Sequence, residues 1–389
     1  MAFMLEKGFR YLNQRSVFRK IRENGVITRR QIAQQMDLSF QTVANIVSEL
    51  LETELVVSDG LINQNAGKRP ESLKVNPSGL YAAGVLLDRT GFEATLIDLL
   101  GGCQARSTHP LSSLQPDITL RQIADVIEDF LVTMNIPSER FAGVGISSPG
   151  PIDFRVGAVS KPPNFPGWTF VPIQQRLSDM IGYPVTLVKD SHAAALAEIW
   201  ALNNASASSL FYLYFSAGIG GALVVNRRIW TGFSGNAGEI GHVVVSEEGA
   251  CECGRIGCLE AVWSLGRAAN EAHLSLEDLV RLLQEESSPQ WEQWQKGIPL
   301  LARVVVDVAN MIEPETIIIG GPQGEQIGDN LIGPLNDALQ REGFVHNLRP
   351  ITARMAIAKN AASVGAGLVQ INTTLTMASN SSGVLGLDI

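Results

Sequence analysis

The chain has 389 residues, 45% of them hydrophobic and 18% charged, a composition that fills real cores and excludes a disordered chain. Its length predicts two or three domains. Runs of ~18 apolar residues are absent, and the N-terminal MAFMLEKGFRYLNQ lacks a basic, apolar, small-residue order. The sequence therefore predicts a cytoplasmic protein with no membrane partner. The net charge of −9 is uneven: residues 1–75 hold 11 Lys/Arg against 8 Asp/Glu, and the rest hold 19 against 31. A basic head on an acidic body predicts that the head alone meets a polyanion.

In chain order, residues 14–26 set Val17, Ile21 and Val26 among Arg15, Arg19, Lys20 and Arg22, an amphipathic helix ended by Asn24-Gly25. Thr28 predicts an N-cap for RRQIAQQM and Ser39 one for FQTVANIVSELLETE, with Asp37 supplying the turn between them. With Ile32, Ala33, Met36, Val43, Ile46, Val47 and Leu50 facing inward, the pair fits helix-turn-helix packing. Ser39, Gln41, Thr42 and Asn45 then face base edges in the major groove of double-stranded DNA, and Arg29 and Arg30, with Arg15 or Arg19, face phosphates. LVVSDGLINQ predicts a hairpin wing turning at Asp59-Gly60. The Gly67-Lys68-Arg69-Pro70 run that follows is either a minor-groove arm, with Lys68 and Arg69 as the reading residues, or a solvated linker.

Beyond residue 75, apolar runs end repeatedly in turns: at Asp88-Arg89-Thr90-Gly91, at Ser148-Pro149-Gly150, at Asp190 before SHAAALAEIWAL, at Gly218 to Gly221 and at Gly320-Gly321. Strands alternating with helices argue for an α/β body of two lobes with a cleft between them. Residues 235–264, GNAGEIGHVVVSEEGACECGRIGCLEAVWS, gather one histidine and three of the four cysteines of the chain.

These features together resemble the ROK family (repressors, open reading frames and sugar kinases), in particular its branch of Mlc/NagC/XylR-type repressors. The most specific elements are the E-x-G-H and C-x-C-G-x-x-G-C-x-E patterns of residues 239–260. The resemblance implies a winged helix-turn-helix over 1–75 followed by a two-lobed actin-like ATPase fold. A small lobe over 76–190 is expected to be completed by a C-terminal helix at about 375–389. The large lobe, 191–374, is expected to carry a metal site and a dimer interface.

His242, Cys251, Cys253 and Cys258 form the Cys3His set of a closed structural zinc site, which leaves no position for an activated water. By resemblance, Asn164, Asp190, Glu239, His242 and Glu260 ring one sugar, with His242 serving both metal and effector. In the family's kinases Asp190 is the general base that deprotonates the attacking hydroxyl. The phosphate loops, however, depart from the kinase pattern. D-x-G-G-T reads Asp88-Arg89-Thr90-Gly91-Phe92, and G-T-G-I-G-G-G reads Phe215-Ser216-Ala217-Gly218-Ile219-Gly220-Gly221. Lys189 stands where asparagine is common, poised either for a phosphate or acidic group on the effector or for solvent. The expected protein is a sugar- or sugar-phosphate-responsive repressor without catalysis, acting as a homodimer or dimer of dimers. The alternatives are an ATP-dependent sugar kinase with a DNA-binding head, and a regulator whose effector is a partner protein.

Overall fold

The computed structural model describes residues 9–61, 71–162, 165, 167–203, 208–285, 287–344, 348–376 and 384–386. Three helices, Phe9–Asn24, Arg29–Met36 and Phe40–Glu52, open the chain. The second begins with a reciprocal cap: Thr28 Oγ1 accepts from the Gln31 N–H, and Gln31 Oε1 accepts from the Thr28 N–H at 2.9 Å. Asp37 closes it in the left-handed region at φ 51°, so the short polar side chain does the work of a turn glycine. Ser39 Oγ then accepts from the Thr42 N–H at 3.1 Å and starts the third helix. Val17, Ile21, Ile32, Val43, Ile46, Val47 and Leu50 form the core between the helices. Val26 lies past the first helix and is exposed.

The strand pairing beside these helices differs from the sequence expectation. Val56–Leu61 is a single strand, and the positive φ of Gly60 falls in a bulge between Ser58 and Gly60. Its partner is Glu71–Val75, beyond Pro70, and Ile27–Thr28 adds a third strand. Lys68 and Arg69 lie outside the described residues.

Among the described residues the body contains two large sheets and a two-stranded one, Ile152–Asp153 with Ala158–Val159. The five-stranded one runs in the order Val185–Lys189, Phe141–Ser148, Tyr81–Leu87, Gly91–Asp98, Cys103–Pro110. Its first three strands are mutually parallel and its last two pair antiparallel. The six-stranded one runs Thr352–Met355, Thr316–Gly320, Leu210–Phe215, Ile219–Val225, Arg228–Trp230, Val384–Gly386. Helix Asp190–Leu202 packs on the six-stranded sheet, helix Ala361–Thr376 packs on the five-stranded one, and the two helices pack against each other. Gly365 permits their closeness, since a Cβ there would stand 1.8 Å from the Ala193 carbonyl oxygen.

The closing element of the small lobe is therefore helix Ala361–Thr376, not a helix at 375–389. The apolar, small-residue run AASVGAGLVQI packs there, whereas Val384–Gly386 joins the large-lobe sheet as an edge strand. Among the described residues no helix is long and apolar enough to cross a membrane.

The head is not suspended from the body. Its core is continuous with apolar residues of helices Asp190–Leu202 and Ala361–Thr376. The Arg22 guanidinium lies 3.7 Å from the ring centre of Trp200, near the end of helix Asp190–Leu202. Arg140 ties the lobe to the head through Glu54 and donates to the Ser78 carbonyl at 2.9 Å.

Candidate functional site

The loop from His242 to Cys258 folds back on itself by isolated bridges between Val244 and Cys258 and between Ala250 and Ile256. Gly257 makes this possible: its φ is +79°, and a Cβ there would stand 1.6 Å from the Ser246 carbonyl oxygen. The fold-back brings His242, Cys251, Cys253 and Cys258 together, with all four ligand atoms within 4.8 Å of one another. His242 Nδ1 is 3.4 Å from the Cys251 sulfur, and the Cys253 and Cys258 sulfurs are 3.6 Å apart. A tetrahedral ion with bonds near ~2.3 Å places its ligands about 3.8 Å apart, so the donor set and its spacing fit a metal. The Arg255 N–H and guanidinium beside Cys253 lower its thiol pKa, which favours the thiolate a metal needs.

With Nδ1 turned to the thiols, His242 presents Nε2 to Glu239 Oε2 at 3.9 Å. The other oxygen of Glu239 pairs with the Lys189 ammonium at 2.7 Å, and that ammonium also donates to the Ala237 carbonyl at 3.2 Å. The Lys189 side chain is only 4% exposed, so it faces the site and not solvent. Next to it, Asp190 opens helix Asp190–Leu202, and its Oδ1 accepts from the Ser191 N–H at 2.6 Å. Burial pushes the Asp190 carboxyl up to about 7, against the opposing pull of Lys189. Burial likewise drives the His192 imidazole down to about 3, with Lys189 adding to the effect. His192 Nε2 sits 3.0 Å from the same Ala237 carbonyl.

Glu260, on the short helix Leu259–Val262, accepts from the Ile219 N–H at 2.9 Å and so lies against the turn at 216–219. Of the five residues expected around a sugar, Asp190, Glu239 and His242 gather around Lys189, and His242 also lines a cavity with Glu260. The fifth, Asn164, lies outside the described residues. Asn236, which the sequence reading passed over, braces this region: its amide donates to and accepts from the Ile152 backbone, both at 2.8 Å. Nothing in its local sequence beyond the Gly235-Asn236 pair singles it out.

Comparison with known proteins settles the class. The ROK family model matches residues 82–366. The chain belongs to the ROK family. It is 26% identical over 360 residues to a xylose repressor of Caldicellulosiruptor bescii, covering 86% of this chain and 88% of that protein. It is 32% identical over 280 residues to a glucokinase of Thermotoga maritima, covering 66% of this chain and 86% of that protein. Among solved structures, a ROK family transcriptional regulator described as a homologue of Escherichia coli Mlc superposes with a TM-score of 0.77 at 22% identity. That match covers 94% of this chain and 96% of the other.

The ROK kinase phosphate turns look different in space than in sequence. Phe92, which stands in place of the threonine hydroxyl, does not fill the cradle. The alternation of strand Gly91–Asp98 turns it into the small-lobe core, 2% exposed and stacked on His109. A cavity of about 470 Å3 remains between Asp88–Glu93 and the turn at Gly321–Gln323. Its polar lining mixes three carboxylates, Asp88, Glu93 and Glu325, with Thr90, Thr108, Gln323, Gln326 and Asn360, and Arg106 is bound to Glu93 at 2.6 Å.

In the head, Ser39, Gln41 and Asn45 are exposed along one end of helix Phe40–Glu52 and Thr42 is half-buried beside them. Ser39 and Thr42 share a hydroxyl contact of 2.8 Å, and Gln41 donates to Asn45 at 2.9 Å. Arg30 is exposed, whereas Arg29 is already paired with Glu71 of the adjoining strand. Phe40, 58% exposed at the start of this helix, went unnoticed in the sequence because its apolarity reads as core.

Proposed function

We propose that this ROK protein is a sugar-responsive transcriptional repressor. The observation that carries the reading is one helix, Asp190–Leu202: it begins among the carboxylates of the cleft and ends with Trp200 under Arg22 of the head. An effector that binds one lobe arrangement better than the other can shift the head only through elements that touch both, and this helix does.

The head is the winged helix-turn-helix. Helix Phe40–Glu52 enters the major groove, where Gln41 and Asn45 release each other to read base edges and Phe40 offers an apolar contact to a thymine methyl. Arg30 takes phosphate directly, and Arg29 does so at the expense of Glu71. Lys68 and Arg69 extend the contact along the backbone or minor groove. Two copies of the chain set two heads on a pseudo-palindromic operator.

In the cleft, Glu239 and Glu260 accept from sugar hydroxyls, His242 Nε2 contributes the third polar contact, and Asp190 binds a hydroxyl without deprotonating it. Asn164 completes the ring. The ion held by His242, Cys251, Cys253 and Cys258 is zinc, and its contribution is structural: four soft ligands close the site and fix the loop that carries Glu239 and Glu260.

The test is a gel-shift titration of the full chain on DNA from its own promoter, with xylose, glucose, N-acetylglucosamine and their phosphates as effectors. One of them is expected to release the DNA. Steady ATP-dependent phosphorylation of any of these sugars would replace the reading with a kinase that carries a DNA-binding head.

A further inference from the structure

The turn Asp88-Arg89-Thr90 raises a cation that neither the fold nor the sugar contacts employ. Arg89 is anchored by its own backbone, whose N–H donates to Asp88 Oδ1 at 2.7 Å. Its side chain crosses from the small lobe to the large one: a Cβ added to Gly266 would lie 3.3 Å from Nη2 of Arg89. Gly266 in turn donates its N–H to the Ala217 carbonyl at 2.7 Å, so the guanidinium lies at the turn that a kinase uses for phosphate. Among the described residues that guanidinium has no hydrogen bond or ion pair.

Arg89 shares a cavity of about 490 Å3 with His242 and Glu260. Other charges on its walls are accounted for. Arg267 pairs with Glu271 at 2.7 Å, and Glu260 is held by the Ile219 N–H. Glu252 is exposed on the rim. Two cations are left over, Arg89 and the exposed Lys161. A guanidinium is a planar fork suited to two oxygens of one anion, and a half-buried one without a partner is a receptor for such an anion.

We infer that Arg89 is an anion-binding specificity residue and that the effector is a phosphorylated monosaccharide. Its hydroxyls meet His242 and Glu260, and its phosphoryl group lies at the Arg89 guanidinium beside Gly266. A dianion matches two unpaired cations, whereas a sugar carboxylate answers only one. The arrangement also explains how ligand acts on shape: the phosphoryl group bridges a small-lobe turn and the start of large-lobe helix Leu265–Ala272, so it favours the closed cleft. The inference rests on the sugar reading of the cleft.

The experiment is isothermal titration of the full zinc-loaded chain. Glucose is compared with glucose 6-phosphate, N-acetylglucosamine with its 6-phosphate, and gluconate serves as the carboxylate. One phosphorylated sugar is expected to bind at least about tenfold more tightly than its neutral counterpart. Arg89→Gln is expected to erase that margin while leaving the neutral sugar's Kd within about twofold, which also certifies that the variant is folded. Neutral sugar binding as tightly as its phosphate, gluconate outcompeting both phosphates, or Arg89→Gln weakening neutral and charged sugars alike would each overturn the assignment. In those cases a loss of all binding in Glu239→Gln would still uphold the sugar site. A chain that binds no sugar of either kind overturns both.

Discussion

The cleft has two halves that differ in how their charges are used. On the side proposed for the sugar, the Lys189 ammonium bonds the carboxylate of Glu239, and Glu239 in turn faces His242 of the cysteine-rich loop. On the nucleotide side, Asp88, Glu93 and Glu325 line an open space; Glu93 is satisfied by Arg106 and by Ser363 at 2.5 Å, and the Glu325 carboxyl is pushed up by its burial. The difference shows that one cleft can hold some of its charges paired and buried and leave others facing open space. Coulomb repulsion in a partly desolvated cleft exceeds what the same charges would exert in water.

The hardest test of the sugar half is to remove what fixes it. Cys258 is fully buried. Cys258→Ser withdraws a soft ligand and is expected to release the zinc, lower stability by ~4 kcal/mol and abolish sugar binding. Metal content by mass spectrometry, thermal melting and calorimetry report the three effects. A variant that loses its metal yet keeps its sugar affinity would separate the knot from the receptor and break the comparison at its base.

The second test concerns what a buried charge costs in this half. The Asp190 carboxyl lies at about 7 in the folded chain, above its ordinary 3.8, because burial opposes ionisation. Between these values the native state binds more protons than the unfolded one. The contribution of Asp190 to stability is therefore complete below pH ~4 and is lost as pH rises through ~7. His192, held down to about 3, acts in the opposite sense: its contribution is present above pH ~6.5 and is lost as pH falls. The pair obscures each other in the native chain, so the difference between variants is the useful quantity. Asp190→Asn is expected to gain as much as ~3 kcal/mol relative to the native chain at pH 8 and nothing at pH 4. Equal melting differences at both pH values would mean that Asp190 is ionised throughout.

Legibility in the sequence followed how local each feature is. Thr28, Asp37 and Ser39 act within three residues of themselves, and their capping and turn roles could be read from spacing alone. The Cys3His cluster was equally visible, because its four members fall within seventeen residues of chain. The Val56–Leu61 strand was misjudged because a bulge and a turn use the same Asp-Gly signal, and only a partner across the sheet tells them apart. What the Phe92 departure does to the turn was not legible, because the side-chain direction in a strand depends on register. Neither the Lys189–Glu239 pair nor Arg22 over Trp200 was legible: each joins segments 50 or more residues apart whose meeting is set by the whole fold.

The third test follows the sugar half outward to the head. Trp200 donates its indole N–H to the Leu100 carbonyl at 2.7 Å, which leaves the ring face to Arg22. Burial pulls the Arg22 guanidinium down to about 10, so the stacking holds a costly charge in place. Trp200→Leu keeps an apolar body and removes that platform. Sugar affinity and DNA affinity measured separately are expected to change little, while the release of DNA by sugar weakens about tenfold, a coupling loss of ~1.4 kcal/mol. Undiminished release would show that the signal travels by another element.

The smallest effect is expected on the other side of the cleft, and its smallness is the point. Glu325 is half-buried, its carboxyl is raised by desolvation, and Lys359 approaches it only at 3.6 Å. Glu325→Gln keeps the shape and discards a charge that the fold holds at a cost. The variant is expected to be equal to the native chain or steadier by ~0.5 kcal/mol, the more so as pH rises. Sugar affinity is expected to stay within about twofold, because no bond connects this residue to Asp190 or Glu239. A fall in sugar affinity larger than that would mean that the field of the acidic half reaches the sugar. The two halves would then act as one electrostatic unit instead of as a receptor beside an unused space.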